Sequence, residues 1–288
     1  MAETKRFNNI FFFSNTRRLF EFEGKSFPEQ QTAIQKKISE KQAGPIRYIR
    51  ERNIRMLKNE FISKNPLRLM GYKSDDILRN GEFGAVMARA GVGKTAFLVQ
   101  LALYSMLGEK NVLHISLNNP VKKVSLSYRE AFNRITTQCD IHQTEQLWDA
   151  LMPHRFIMTF RVEGFSVPKL EERLTDLIEQ DIFKPDAMIM DNIPFDRSVS
   201  KDLRQLKKLA LHQGMHVWFS VRTHRHEEPG QNGLPLQLSQ VVELFEVAIE
   251  LVPKGKKIQI KAFKGPGSEA DFPDLILDPA TMQITDQA

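Results

Sequence analysis

The chain has 288 residues, of which 41% are hydrophobic and 26% are charged, and its net charge is +6. These values are typical of a soluble globular protein and exclude a fibre, a peptide hormone and a disordered tail. The single cysteine, Cys139, excludes an intrachain disulfide framework, so we expect a reducing compartment, the cytoplasm. The longest early apolar run, 10–13, is too short for a signal peptide or a membrane span, and we expect no membrane anchor.

The positive charge is concentrated at the N-terminus. Residues 1–80 hold 17 Lys and Arg against 9 Asp and Glu, whereas residues 81–288 hold 24 against 26. Breaks at Pro28, Gly44, Pro45 and Pro66 separate helix-like stretches at 29–42 and 46–62, which predicts a small, basic helical segment over 1–80. Such a segment suggests an anionic partner, DNA or an acidic protein, although a solvated helical face explains the charge equally well.

From residue 81 onward, short apolar runs alternate with amphipathic stretches. We predict strands at 83–88, 112–117, 156–160, 187–190 and 217–221, and helices at 95–107, 124–135, 167–180 and 201–212. The C-terminal runs at 247–252, 256–263 and 275–277 are joined by short turns instead of helices. The pattern predicts an α/β domain over 81–288, with a mostly parallel sheet flanked by helices and a C-terminal antiparallel extension.

A glycine-rich sequence lies between the first predicted strand and the first predicted helix. Residues 88–95 read Ala-Arg-Ala-Gly-Val-Gly-Lys-Thr, in the strand–loop–helix context that a phosphate-binding P-loop requires. Glycines let backbone N–H groups turn onto phosphate oxygens, Lys94 would bridge the β- and γ-phosphates, and Thr95 would ligate Mg²⁺. Ala88 stands where the strict pattern has its first glycine. The predicted ATP-binding residues are Gly91, Val92, Gly93, Lys94, Thr95 and Ala96.

A second element of the same kind follows about a hundred residues later. The apolar run 187–190 ends in Asp191, which is typical of a Walker B strand. An aspartate at a strand end is also common as a turn residue, but together with the glycine-rich loop it predicts a Mg²⁺ contact, through water, beside Thr95. We therefore expect ATP and Mg²⁺ as cofactors.

These motifs carry a resemblance to a known family. The stretch from Gly81 to the C-terminus resembles the RecA-like P-loop ATPase core, in particular DnaB-type replicative helicases and KaiC/RadA-like ATPases. The matching segments are 91–97, 114–120, 190–192, 218–220 and 261–265. The resemblance implies ATP·Mg²⁺ bound at the carboxyl ends of the strands, and assembly into a homo-oligomer that shares the nucleotide between subunits.

The departures from this family concern hydrolysis. The position of the glutamate that polarises the attacking water aligns with Asn118, and Asn192 occupies the alternative position after Asp191. An amide accepts no proton, and general-base assistance contributes about 10² to 10⁴ in rate. We therefore expect slow or absent hydrolysis.

A further departure concerns the cations near the terminal phosphate. Where the family places Lys and Arg in its closing hairpin, this chain has Lys261 and Lys264, which are candidates for reaching across a subunit interface or are simple surface residues. Lysine lacks the planar fork of arginine. Arg222, next to the position of the family's polar sensor, is a candidate for sensing the γ-phosphate.

The polar segment 222–233 is long enough for a mobile loop. The resemblance implies that this loop faces DNA, although a solvated loop explains its composition equally well. His224 with His226, and Cys139 with His142, look like metal pairs, but neither has a second pair at zinc spacing, so we expect no structural zinc.

Two main functions follow. The first is an ATP·Mg²⁺-binding RecA-like protein that works as a nucleotide-dependent regulatory or assembly module, with weak ATPase activity at best. The alternative is an active DNA-dependent ATPase of the helicase or recombination-mediator type, which needs a general base from elsewhere, for example from another subunit. A small-molecule P-loop kinase is less favoured, because the chain has no Arg-rich lid.

Overall fold

The computed structural model describes residues 77–117, 119–138, 144–195, 199–224, 230, 233–265, 275–279 and 284–285. The predicted helical segment therefore lies outside the described residues, except for 77–80. Within that short stretch, Leu78 is 3% exposed and packs into the core of the following domain, although the sequence division at residue 80 places it in the N-terminal segment.

The described residues form one nine-stranded sheet with the order β3-β2-β4-β5-β1-β6-β7-β8-β9. Its strands are β1 (Phe83–Ala88), β2 (Val112–Ser116), β3 (Arg155–Thr159), β4 (Ala187–Asp191), β5 (His216–Arg222), β6 (Val247–Lys254), β7 (Lys257–Lys264), β8 (Leu275–Leu277) and β9 (Ile284–Thr285). The pairs from β3 to β6 are parallel, and those from β6 to β9 are antiparallel. The predicted α/β sheet with an antiparallel C-terminal extension is confirmed.

Six α-helices accompany the sheet in the described part of the chain. They are α1 (Lys94–Leu107), α2 (Val121–Gln138), α3 (Thr144–Leu151), α4 (Val167–Glu179), α5 (Val199–Gln213) and α6 (Leu236–Ser239). The four predicted helices are confirmed, and α2 is three residues longer at each end than predicted. The short helices α3 and α6 were not predicted. No helix of the described residues is long and apolar enough to cross a membrane.

Glycines lie at several of the helix ends. Gly93 caps the start of α1 with a φ of 113°, and Gly108 at its end donates its N–H to the carbonyl of Tyr104. Gly214, directly after α5, has a φ of 71°. The left-handed conformations of Gly93 and Gly214 are easy for glycine and strained for other residues, which explains why α1 begins and α5 ends at these positions.

The core lies in two layers, one on each face of the sheet. Helices α1, α2 and α3 cover one face, hereafter the α1 face, and helices α4, α5 and α6 cover the other. Side chains alternate between the two: in β4, Ala187 and Ile189 join the α1 face, while Met188 and Met190 join the opposite face. Because the parallel strands are buried on both faces, they appear in the sequence as continuous apolar runs.

Candidate functional site

The predicted site residues converge at the carboxyl ends of β1, β4 and β5. Ala88 and Arg222 are partners in the register of β1 and β5, and Asp191 ends β4. By the alternation of each strand, all three lie on the α1 face: Val86 in β1, Ile189 in β4 and Trp218 in β5, each two or four residues earlier, pack there. The N-terminus of α1 faces the same edge of the sheet.

The loop between β1 and α1, residues 89–93, is shaped by its two glycines. Gly91 has a φ of 79° and Gly93 a φ of 113°, in the left-handed region where side chains are strained. The helix begins immediately, because the carbonyl of Gly93 accepts the N–H of Phe97 at 2.9 Å. Val92 and Ala96 are half-buried and pack against the apolar core of the α1 face.

Lys94 is folded back over this loop. Its Nζ donates hydrogen bonds to the carbonyls of Ala88 and Arg89, each at 2.9 Å. Burial lowers the pKa of Lys94, the carboxylate of Asp191 opposes this shift, and the positive charge of Arg222 adds to it. The ammonium group is therefore held at the mouth of the loop by carbonyls that an anionic ligand would compete with.

Asp191 is fully buried and contacts the first turn of α1. Its Oδ2 accepts a hydrogen bond from Thr95 Oγ1 at 3.0 Å, and its buried Oδ1 has no hydrogen-bond partner among the described residues. Burial raises the pKa of Asp191, while the hydroxyls of Ser220 and Thr95 and the charge of Lys94 oppose the rise. The sequence placed Asp191 beside Thr95, and the structure brings the two together.

The oxygen atoms of Thr95 and Asp191 fit a magnesium ion. Mg²⁺ prefers oxygen ligands and is usually bound by one or two carboxylates, with phosphate oxygens and water completing the shell. The unpartnered Oδ1 of Asp191 is a buried acceptor that a cation would satisfy. Among the described residues no group of three or more His, Cys, Asp or Glu could hold a metal ion alone. A cation here would therefore need further ligands from a bound molecule.

Asn192 follows Asp191 in a left-handed conformation, with a φ of 66°. Its N–H donates to Ser220 Oγ at 2.9 Å, and Ser220 is 1% exposed in the centre of β5. Sequence reasoning did not select Ser220, although it is the one polar residue in the apolar run 217–221. Asn118, the other amide at a predicted base position, lies outside the described residues.

The three candidate cations occupy different places. Arg222 is exposed on the α1 face beside the loop. Lys264 donates its Nζ to the carbonyl of Val242 at 3.1 Å, so within this chain it holds a neighbouring turn. Lys261 lies on the opposite face, because its neighbours Ile260 and Ala262 pack on the α1 face. Most of the segment 225–232, including His226, lies outside the described residues, as do Cys139 and His142.

Glu250 is a second residue that sequence reasoning did not select. It is half-buried in β6, where burial raises its pKa and the charges of Lys261 and Arg89 oppose the rise. Ile249 and Leu251 belong to the α1 face, so Glu250 lies on the opposite face from Lys94 and Asp191. The sequence signal that could have identified Glu250 is that it is a lone acidic residue within an apolar strand.

Comparison with known proteins leaves the chain without a family, since neither a family model nor a curated protein matches it.

Proposed function

We propose that the chain binds ATP with Mg²⁺ at the β1–α1 loop and acts as a nucleotide-dependent regulatory or assembly module of the RecA-like type. The observation that carries the proposal is the contact between Thr95 and Asp191, 96 residues apart, directly beside a lysine folded over a glycine-rich loop. A mostly parallel sheet with antiparallel closing strands, the architecture that the resemblance implies, supports the same reading.

The chemistry of the loop suits phosphate. The N-terminus of α1 has no side-chain cap, so its first backbone N–H groups and the positive end of the helix dipole are directed at the loop, where the two glycines add no side chains. Lys94 would exchange its two carbonyl acceptors for phosphate oxygens. Each exchange replaces a neutral acceptor of the ammonium by an anionic one, which adds a direct attraction between opposite charges.

Mg²⁺ would neutralise the charge of the bound phosphates and orient them. Thr95 and Asp191 would hold it, and the unpartnered Oδ1 of Asp191 would then gain a partner, through water or directly. Because the carboxylate is already placed by Thr95 and by the neighbouring Ser220, it needs little rearrangement to do so.

Slow hydrolysis follows from the residue after Asp191. Asn192 supplies an amide where related ATPases have a carboxylate, and its backbone is fixed in a left-handed conformation by Ser220. An amide orients water but accepts no proton, which favours a binding switch over a motor. At an ATP concentration of about 100 times the dissociation constant, binding stabilises the bound state by about 2.7 kcal/mol. This free energy is enough to drive a conformational or assembly change without hydrolysis.

Calorimetric titration of the purified full chain with ATP and Mg²⁺ tests the binding. The wild type is expected to bind ATP, and Lys94→Ala to weaken binding by about 10- to 100-fold, the value of a lost hydrogen bond to a charged group. Lys122→Ala, which removes an exposed lysine on α2, is the matched control and should bind as the wild type does. Absence of ATP binding by a folded wild-type chain would refute the proposal.

Phosphate release tests the second part of the proposal. The wild type should show a low rate that single-stranded DNA does not raise, and Asn118→Glu should raise it, by up to about 10². Fast phosphate release by the wild type, or stimulation of this rate tenfold or more by single-stranded DNA, would instead support the alternative function, a DNA-dependent ATPase.

A further inference from the structure

We propose that Arg222 supplies, from the same chain, the second cation for the terminal phosphate, and that it makes the site select a nucleoside triphosphate over a diphosphate. The inference rests on the proposed function and deepens it, because it states which ligand the site prefers and that one chain completes the site.

Sheet order places Arg222 between the two halves of the site. Strand β5 lies between β1, which leads into the loop, and β4, which ends in Asp191. Arg222 is the last residue of β5 and stands level with Ala88, the last residue of β1. Its position is therefore above the gap that separates the loop from Asp191.

The direction of the side chain follows from alternation along β5. Trp218 packs in the core of the α1 face, whereas Val217, Phe219 and Val221 pack on the opposite face. Arg222 therefore leaves the strand on the α1 face, the face on which Lys94 begins its helix.

A shared hydrogen-bond acceptor places the ammonium of Lys94 beside the backbone at the end of β5. The carbonyl of Ala88 accepts both Lys94 Nζ, at 2.9 Å, and the backbone N–H of Thr223, at 3.0 Å. The ammonium of Lys94 therefore lies beside the backbone of Thr223, the residue that directly follows Arg222. The positive charges of the two side chains repel each other across this short gap. An anion bound between them would turn the repulsion into attraction.

Arg222 is free to bind such an anion. Its side chain is exposed, and within the described residues it makes no hydrogen bond and no ion pair. The other two candidate cations differ: Lys264 is held by the carbonyl of Val242, and Lys261 lies on the opposite face. Within the described part of the chain, Arg222 is therefore the candidate cation that faces Lys94.

The ligand group that reaches Arg222 is the terminal phosphate. The phosphate chain would run from the glycines of the loop towards Thr95 and Asp191, and β5 lies under the end nearest Asp191. A diphosphate would end at the loop, whereas a triphosphate would extend to the guanidinium, whose planar fork matches two phosphate oxygens. Loss of Arg222 should therefore lower the affinity for ATP and leave the affinity for ADP nearly unchanged.

Calorimetry with ATP·Mg²⁺ and ADP·Mg²⁺ on the full chain tests this, using the wild type, Arg222→Gln, Arg222→Lys and the control Arg134→Gln. Arg134 is an exposed arginine near the C-terminal end of α2, away from the loop. We expect Arg222→Gln to lower the affinity for ATP by about 10- to 100-fold and the affinity for ADP by less than about 3-fold. Arg222→Lys should have an intermediate effect on the affinity for ATP. The control should bind both nucleotides as the wild type does, and the wild type should distinguish ATP from ADP at a protein concentration at which its mass is that of one chain.

Two results would overturn the inference and leave the proposed function standing. One is an equal loss of ATP and ADP affinity, or no loss of either, in Arg222→Gln. The other is a wild type that distinguishes ATP from ADP only at protein concentrations at which it associates, which would assign the second cation to a neighbouring subunit. A folded wild-type chain that binds neither nucleotide would instead end the proposed function, and this inference with it.

Discussion

His114 is fully buried in β2, where its Nδ1 lies 3.1 Å from the hydroxyl of Tyr128. Burial, and secondly the positive charge of Arg155, lower the pKa of His114 to about 3. Arg155 is itself buried, with its guanidinium 4.6 Å from the centre of the Tyr128 ring, and burial lowers its pKa to about 10. Between about pH 3 and pH 6.5 the folded chain therefore keeps His114 neutral, whereas the unfolded chain would protonate it.

The sign of the resulting pH dependence follows directly. An unfolded histidine titrates near pH 6.5, so below that pH the unfolded state binds a proton that the folded state does not, and stability falls as the pH drops towards 3. Replacing His114 by Asn should reduce this loss by up to about 1.4 kcal/mol per pH unit well below pH 6.5, while lowering stability at pH 7.5.

Urea unfolding at pH 7.5, 5.5 and 4.5 measures the effect. The control His212→Asn, at an exposed position in α5, should lose stability on acidification as the wild type does. Equal slopes for the wild type and His114→Asn would show that His114 takes up its proton without unfolding.

At the scale of elements, the contact between β1 and β5 depends on one missing side chain. Gly84 and Trp218 are directly opposite each other in the parallel register, and a Cβ on Gly84 would lie 2.5 Å from the Trp218 ring. The indole, 5% exposed, fills this space on the α1 face. A glycine inside a central strand is otherwise unfavourable, so its presence marks this close approach.

Gly84→Ala should therefore destabilise the fold by about 1–3 kcal/mol, because the added methyl forces the ring and both strands apart. The free energy of unfolding in urea measures this. Adding Trp218→Leu should produce less than the sum of the two single effects, since the smaller side chain makes room for the methyl. Gly164→Ala, where a Cβ would meet open space, should change stability little. Full additivity in the double variant would refute the packing argument.

Sequence patterns predicted the elements better than their arrangement. The buried strands were predictable because burial on both faces leaves continuous apolar runs, and α1 and α5 because a glycine follows each. Helix α3 was not predicted because its eight residues contain a single helical repeat of buried positions, Leu147, Ala150 and Leu151, and one repeat is too short to identify a helix. The position of β5 between β1 and β4 is set by contacts between distant segments, which no local pattern encodes.

The same limit applies to the candidate site. The contact between Thr95 and Asp191 could be predicted because each motif is local, whereas the positions of Ser220 beside Asn192 and of Arg222 level with Ala88 depend on which strand stands next to which. Arg155 had no signal at all: the sequence cannot show that an arginine at a strand start is covered by the rings of Tyr128 and Trp148.

At the scale of the whole molecule, a site completed by one chain separates nucleotide binding from assembly. If Arg222 acts within its own chain, ATP binds first and any association follows from the conformation it stabilises. If a neighbouring subunit completes the site, the two events occur together. The basic segment 1–76, which lies outside the described residues, would then respond to the nucleotide only through the domain that follows it.

Nucleotide titration monitored by melting temperature and by light-scattering mass distinguishes these orders. Saturation with ATP·Mg²⁺ at about 100 times its dissociation constant should add about 2.7 kcal/mol, a rise of about 5–10 °C for a domain of this size. At low protein concentration the melting temperature should rise without a change in mass, and at high concentration the mass should rise as well. Lys94→Ala should lose both responses and Lys122→Ala neither. If the melting temperature rises at every protein concentration while the mass stays constant, the chain binds the nucleotide but does not assemble in response to it, and the proposed assembly function is wrong.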